Sequence, residues 1–167
     1  MRKRAASIAA GLVLVASTSG RVDPVANASQ HKSQAELRKA FIGTWRLISI
    51  EGGNTLAIRG ARPTGLIYYD AHGYMAAQIM PDRPRPTWSG TPTPQQALEA
   101  LRGYTAYFGT YTIDETARTV THHRQGMLDG GAADFVRRYE FGPAERLILT
   151  PVGDSPAPLH LTWERIK

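Results

Sequence analysis

The sequence has no cysteine among its 167 residues. This absence excludes disulfide bonds, thiol chemistry, cysteine-based metal sites and lipid attachment through a cysteine. The chain also lacks an apolar run of the roughly 20 residues that a membrane-spanning helix needs. Its net charge of +6 is spread along the chain without a long basic run. The sequence therefore predicts no nucleic-acid partner.

The N-terminus follows the pattern of a secretory signal peptide. Three basic residues at positions 2–4 precede a short apolar run over 8–16, and residues 26–28 (Ala-Asn-Ala) fit a small-x-small cleavage site. We predict a signal peptide over residues 1–28, with a cut within 17–20 as an alternative, or else a retained N-terminal segment. The protein would be periplasmic or secreted. The apolar run is too short to span a bilayer, so we expect no stable membrane insertion after signal cleavage.

Beyond residue 28, capping and turn signals predict a short helix followed by strands. Ser33 and Glu36 have the spacing of a capping box, which predicts a helix start. Turn residues then separate eight strands, near residues 44–51, 65–70, 74–80, 104–113, 118–125, 135–141, 146–151 and 159–166. Short turns imply antiparallel neighbours, and eight strands can close and remove exposed edges. We predict an all-β fold, an eight-stranded antiparallel up-and-down barrel, over residues 29–167.

A proline-rich segment interrupts the strands. Residues 81–103 hold five of the eleven prolines, and proline removes hydrogen-bond donors from a strand ladder. Within the segment, Thr93, Pro94 and Gln96 fit a helix start. We predict a helix in this crossing between strands 3 and 4, lying over a barrel mouth.

Four ordered blocks of the sequence resemble the bacterial and fungal lipocalin-like domain family. They are Gly43-Thr44-Trp45-Arg46-Leu47 and residues 65–70, 73–78 and 104–111. The resemblance implies a calycin-type barrel with a central pocket for a small, mostly apolar ligand, but no settled substrate and no established catalytic residues. Lipocalins also tend to stack an arginine from the last strand on the first-strand tryptophan. In this chain that arginine would be Arg165.

Arg137 is the first candidate for ligand binding. Side chains alternate across a strand, and the odd positions of 135–141, which include Arg137 and Tyr139, have the more aromatic set. These positions should face the barrel interior. An arginine there needs an acceptor, which would be a ligand carboxylate, phenolate or enolate, or else an internal ion pair or a wet barrel mouth.

Histidine, tyrosine and glutamine side chains supply the other candidates. His122 and His123 face opposite sides of one strand, so one of them can point inward and move a proton, or serve only as a core hydrogen-bonding group. Neighbours in one strand do not easily bind one ion, so we predict no metal site. The remaining candidate ligand contacts are Tyr68, Tyr107, Tyr111 and Gln78. Both faces of residues 65–80 are largely apolar, so the pattern does not decide which face is inward.

Two functions remain open. The first is an exported barrel that binds a small hydrophobic or aromatic ligand in its cavity without a cofactor. The alternative is a small cofactor-free isomerase or cyclase acting on an apolar substrate in the same cavity. The sequence has no Ser-His-Asp order, no glycine-rich phosphate loop and no paired carboxylates on one strand face. Convergence of Arg137, one histidine and a tyrosine or Gln78 on one pocket wall would favour the enzyme.

Overall fold

The computed structural model describes residues 33–131, 134–153 and 155–167, so the predicted signal peptide over residues 1–28 lies outside the described residues. The described chain forms a closed barrel of eight antiparallel strands in up-and-down order. The strands are β1 Gly43–Glu51, β2 Thr64–Tyr69, β3 Tyr74–Met80, β4 Thr105–Asp114, β5 Thr119–Met127, β6 Asp134–Gly142, β7 Arg146–Pro151 and β8 His160–Arg165. The helices are α1 Gln34–Phe41, α2 Thr55–Arg59 and α3 Pro94–Leu101. The predicted fold class is confirmed.

Helix α1 closes one end of the barrel. It begins with the predicted capping box of Ser33 and Glu36, and it buries Leu37 and Phe41. The Phe41 ring packs edge-on against Tyr69 and Tyr139, with centroid distances of 5.3 and 5.2 Å. This end of the barrel is therefore filled with aromatic side chains.

The first and last strands meet next to this closed end. The guanidinium carbon of Arg165 lies 4.1 Å from the centroid of the Trp45 ring, so the predicted stacking is confirmed. Arg165 also donates hydrogen bonds to the carbonyls of Ala40, at 2.6 Å, and Ile42. A side chain on Gly43, where φ is +134°, would come within 2.7 Å of the Arg165 guanidinium. The Gly-x-Trp motif therefore makes room for the arginine that joins β1, β8 and α1.

The proline-rich crossing contains α3, as predicted. Thr93 and Gln96 form the capping box, with Pro94 at the helix start. Within this helix only Ala100 is buried, whereas Leu98 and Leu101 are exposed.

Alternation along the strands decides the inward face that the sequence left open. In β2 and β3 the odd-numbered residues are buried, including Ile67, Tyr69 and Ala77, whereas Leu66 and Tyr68 are exposed. Across the described residues, no helix has the length and apolar character needed to cross a membrane.

Candidate functional site

A cavity of about 240 Å³ lies inside the barrel. It lies toward the end opposite α1, since its lining includes Ile50 at the end of β1, Thr105 at the start of β4 and Arg59 of α2. The apolar part of its wall comprises Ile50, Ile67, Ala77, Ile79, Phe135, Leu149, Pro151, Leu159, Leu161 and Trp163. The interior is therefore a mostly apolar chamber with a few polar side chains.

His122 on β5 is buried in the wall of this chamber and held by two tyrosines. Its Nε2 lies 2.7 Å from the Tyr69 hydroxyl, and its Nδ1 lies 2.9 Å from the Tyr107 hydroxyl. Burial lowers the pKa of His122 to about 3, and the nearby charge of Arg137 adds to this shift. Burial also raises the pKa of Tyr107 to about 12. At neutral pH all three rings are uncharged.

Arg137 on β6 lines the same cavity. Its guanidinium has few hydrogen-bond acceptors within the described part of the protein. Its guanidinium carbon lies 4.6 Å from the centroid of the Phe135 ring, and Nη1 donates a long hydrogen bond of 3.4 Å to the carbonyl of Val136. Within the described ranges, no carboxylate forms an ion pair with it. Burial lowers the pKa of Arg137 from its usual range, yet an arginine keeps its charge in a protein. A half-buried cation thus faces an apolar chamber.

Two further arginines contribute to this region, and both have protein partners. The Arg124 side chain is fully buried and pairs with Asp129 at 2.8 Å. Its guanidinium carbon lies 3.6 Å from the centroid of the Phe135 ring. Arg59 donates to the Gly103 carbonyl at 2.7 Å and to the Thr105 hydroxyl at 2.8 Å. Sequence reasoning named neither arginine, although alternation from His122 would place Arg124 on the inward face.

Trp163 on β8 adds an unpaired donor. The residue is 1% exposed and lines the cavity. Its indole Nε1–H is buried and has no hydrogen-bond partner within the part of the chain described. Buried donors are normally paired, so this unpaired group is an exception within the barrel.

Three of the predicted site residues come together. Arg137, Tyr107 and His122 all line the cavity, on three consecutive strands. Tyr111 and Tyr139 are also inward and buried, but they pack against Phe41 at the closed end and do not line the cavity. The Tyr111 hydroxyl also donates a hydrogen bond to the Asp70 carbonyl at 2.8 Å. Both tyrosines therefore contribute to packing at the closed end.

The structure places the other three candidates, Tyr68, Gln78 and His123, on the outer face. His123 contacts the Thr112 hydroxyl at 2.9 Å and the Asp134 carboxylate at 3.0 Å. Tyr68 and Gln78 border a shallow outer groove of about 630 Å³. The reason is strand alternation, since each is next to an inward residue. These three side chains cannot contact a molecule in the cavity, which corrects the expectation for them.

No metal site emerges from the geometry. Across residues 33–131, 134–153 and 155–167, no three His, Asp or Glu side chains come together as potential ligands.

Comparisons with known proteins place the fold in a family. The family model described as lipocalin-like domain matches residues 42–166, which include all eight strands. A comparison with curated proteins finds no match. The wild-type fluorescent protein UnaG is a similar solved structure, with 12% identity and a TM-score of 0.39, covering 77% of this chain and 98% of that one. An asparagine-to-glutamine mutant of UnaG gives 13% identity, a TM-score of 0.39 and coverages of 76% and 96%. The family match spans most of the chain, and the chain therefore belongs to the lipocalin-like domain family.

Proposed function

We propose that this protein binds a small, mostly apolar molecule inside its barrel. The observation that carries the proposal is the cavity of about 240 Å³ inside the barrel, with mostly apolar walls and a small number of polar side chains. Small-molecule sites have this composition. A cavity of about 150 Å³ already admits benzene. The cavity therefore suits one substituted ring, or an aliphatic molecule of similar size.

The proposal favours binding over isomerase chemistry because the buried His122 is a poor proton acceptor at neutral pH. Arg137, His122 and Tyr107 do share one cavity, which is the convergence that an enzyme would need. However, both nitrogens of His122 are engaged by tyrosine hydroxyls, and a pKa of about 3 makes it a weak base at neutral pH. A proton shuttle needs a group that titrates near the working pH, whereas a fixed neutral imidazole suits ligand positioning.

The proposal includes export to the periplasm or the medium. It rests on the basic, apolar and small-residue pattern of residues 1–28. N-terminal sequencing of protein recovered from its source should begin after residue 28, or within 17–20 for the alternative cut. Recovery of the intact N-terminus would contradict export by this signal.

A pair of neighbouring alanines gives a sharp test of the cavity. Both border the outer groove, but only Ala77, which is buried, also lines the cavity, whereas the adjacent Ala76 is exposed. We would titrate the wild type with toluene, 4-ethylphenol and 4-nitrophenol and follow tryptophan fluorescence. At least one probe should saturate at one molecule per chain. Ala77→Leu, which fills the cavity, should weaken that binding by about tenfold or more, since the leucine occupies the ligand's space.

The matched control is Ala76→Leu, which should leave affinity for the same probe unchanged. Absence of saturable binding by every probe would refute the proposal. Loss of binding in Ala76→Leu but not in Ala77→Leu would also refute it, because the molecule would then occupy the outer groove.

A further inference from the structure

We infer that the ligand is a small organic anion, and that its charged oxygen is bound by the Arg137 guanidinium and the Tyr107 hydroxyl. This inference rests on the proposed function, since it assigns the polar contacts of the same cavity. The body of the molecule would lie against the apolar wall.

The first argument is the unmatched charge of Arg137. The guanidinium has five N–H donors, and the one hydrogen bond that the described residues accept from it is the long contact to Val136. The nearby Asp129 does not neutralise it, because that carboxylate is 2.8 Å from Arg124. Arg137 is half-buried, so its charge is partly removed from water, and a charge in such a place is stabilised by a paired acceptor. A ligand anion would supply the missing partner.

The second argument is the direction of the hydrogen bonds at His122. A neutral imidazole donates one hydrogen bond and accepts one. Tyr69 is fully buried, and its hydroxyl contacts His122 Nε2. If Nε2–H donated to Tyr69, the hydroxyl hydrogen of Tyr69 would be buried with no acceptor in the described chain, which is costly. Tyr69 therefore donates to Nε2, and the proton of the imidazole is on Nδ1.

This tautomer fixes the role of Tyr107. The Nδ1–H of His122 donates to the Tyr107 hydroxyl, whose own hydrogen is then free for another acceptor. Tyr107 lines the cavity beside Arg137. The buried pair of Tyr69 and His122 thus turns Tyr107 into a donor toward the chamber.

The third argument is that the cavity has an excess of donors. Arg137 and Tyr107 both direct hydrogen-bond donors toward the cavity that they line. Arg59 adds a second positive charge at the wall, and the one carboxylate among the lining residues, Asp129, is paired with Arg124 at 2.8 Å. A ligand that fits these groups brings acceptor oxygens and a negative charge, as a carboxylate or phenolate on one ring does.

4-Nitrophenol tests the charge preference within one molecule, because its phenolate absorbs at a longer wavelength than its phenol. If the site binds the anion about tenfold more tightly than the phenol, the bound probe should ionise about one pH unit lower than the free probe. Arg137→Gln should abolish this shift. Arg138→Gln, at the exposed neighbouring position on β6, should retain it. Tyr107→Phe should reduce it.

A second comparison covers carboxylates and stands if Arg137→Gln does not fold. Wild-type protein should bind 4-ethylbenzoate at least about tenfold more tightly than the neutral, equally shaped 4-ethylbenzamide. Equal affinities, or a bound nitrophenol that ionises at the same or a higher pH, would overturn the inference while leaving a cavity ligand in place. Absence of any binding that is sensitive to Ala77→Leu would instead overturn the proposed function itself.

Discussion

Replacing Arg165 with alanine should destabilise the barrel more than any exposed arginine substitution. Arg165 stacks on Trp45 and donates hydrogen bonds to the carbonyls of Ala40, in the last turn of α1, and Ile42, just after the helix. Its side chain is 24% exposed. Its removal therefore deletes side-chain contacts that link β8 to both α1 and β1.

The size of the loss follows from these contacts. A cation–π contact contributes about 0.5–2 kcal/mol, and each hydrogen bond from a charged group contributes about 1.5–3 kcal/mol. Because the carbonyls near the helix end can partly rehydrate, we expect a net loss of about 3–5 kcal/mol for Arg165→Ala. For a domain of this size, that corresponds to a Tm lower by roughly 10–20 °C.

Thermal unfolding followed by circular dichroism would measure the loss, with Arg46→Ala as the matched control. Arg46 lies on β1 with a side chain that is 61% exposed, and it pairs with Glu164 at 2.5 Å. An exposed pair contributes about 0–1 kcal/mol, so the control should lower Tm by only a few degrees. If Arg165→Ala lowered Tm no more than Arg46→Ala, the stacked arginine would not be what joins the chain ends.

Two further pairs of substitutions test the packing of the barrel. Burial lowers the pKa of His122 from 6.5 to about 3, so between these pH values the unfolded chain binds a proton at this histidine and the folded chain does not. The free energy of unfolding therefore falls as pH drops from 6.5 toward 3, by on the order of a few kcal/mol. In Tm measurements across that range, His122→Gln should lose this acid sensitivity and His123→Gln should retain it; equal sensitivity in both variants would contradict the assignment. In urea unfolding, Gly109→Ala should cost about 1–3 kcal/mol, because a Cβ there would lie 1.9 Å from the backbone oxygen of His123. Gly126→Ala should cost less than half as much, since its Cβ would meet the exposed ring of Phe108, which can turn away; equal costs would mean that backbone crowding is not the cause.

The strands could be predicted from sequence because their signals are local. Every predicted strand is present, with ends within two residues of those observed. The inward face of β6 was also predictable, since its two faces differ in composition. The faces of β2 and β3 do not differ in this way, and Tyr68 and Tyr69 are chemically identical neighbours with opposite burial. Closure of the barrel alone determines that Tyr69 rather than Tyr68 faces inward. The outward placement of Tyr68 and Gln78 therefore could not be derived from the sequence.

The parts of the site that sequence reasoning missed depend on tertiary contacts. Helix α2 has five residues, and its N-cap residue Asn54 makes no side-chain capping bond. The sequence therefore holds little local information that predicts this helix. The position of the Arg59 side chain is set by its hydrogen bonds to Gly103 and Thr105. The pairing of His122 with two tyrosines has the same origin, because Tyr69 is 53 residues away in sequence.

The pairing of the first strand with the last has a consequence for how the chain folds. In the register of β1 and β8, Trp45 lies opposite Arg165, which is near the end of the sequence. Contacts this distant in sequence form slowly, because a long loop must close first. Until β8 is available, β1 and β7 are open edges that can pair with other chains. Docking of β8 between β7 and β1 therefore covers both edges in one step.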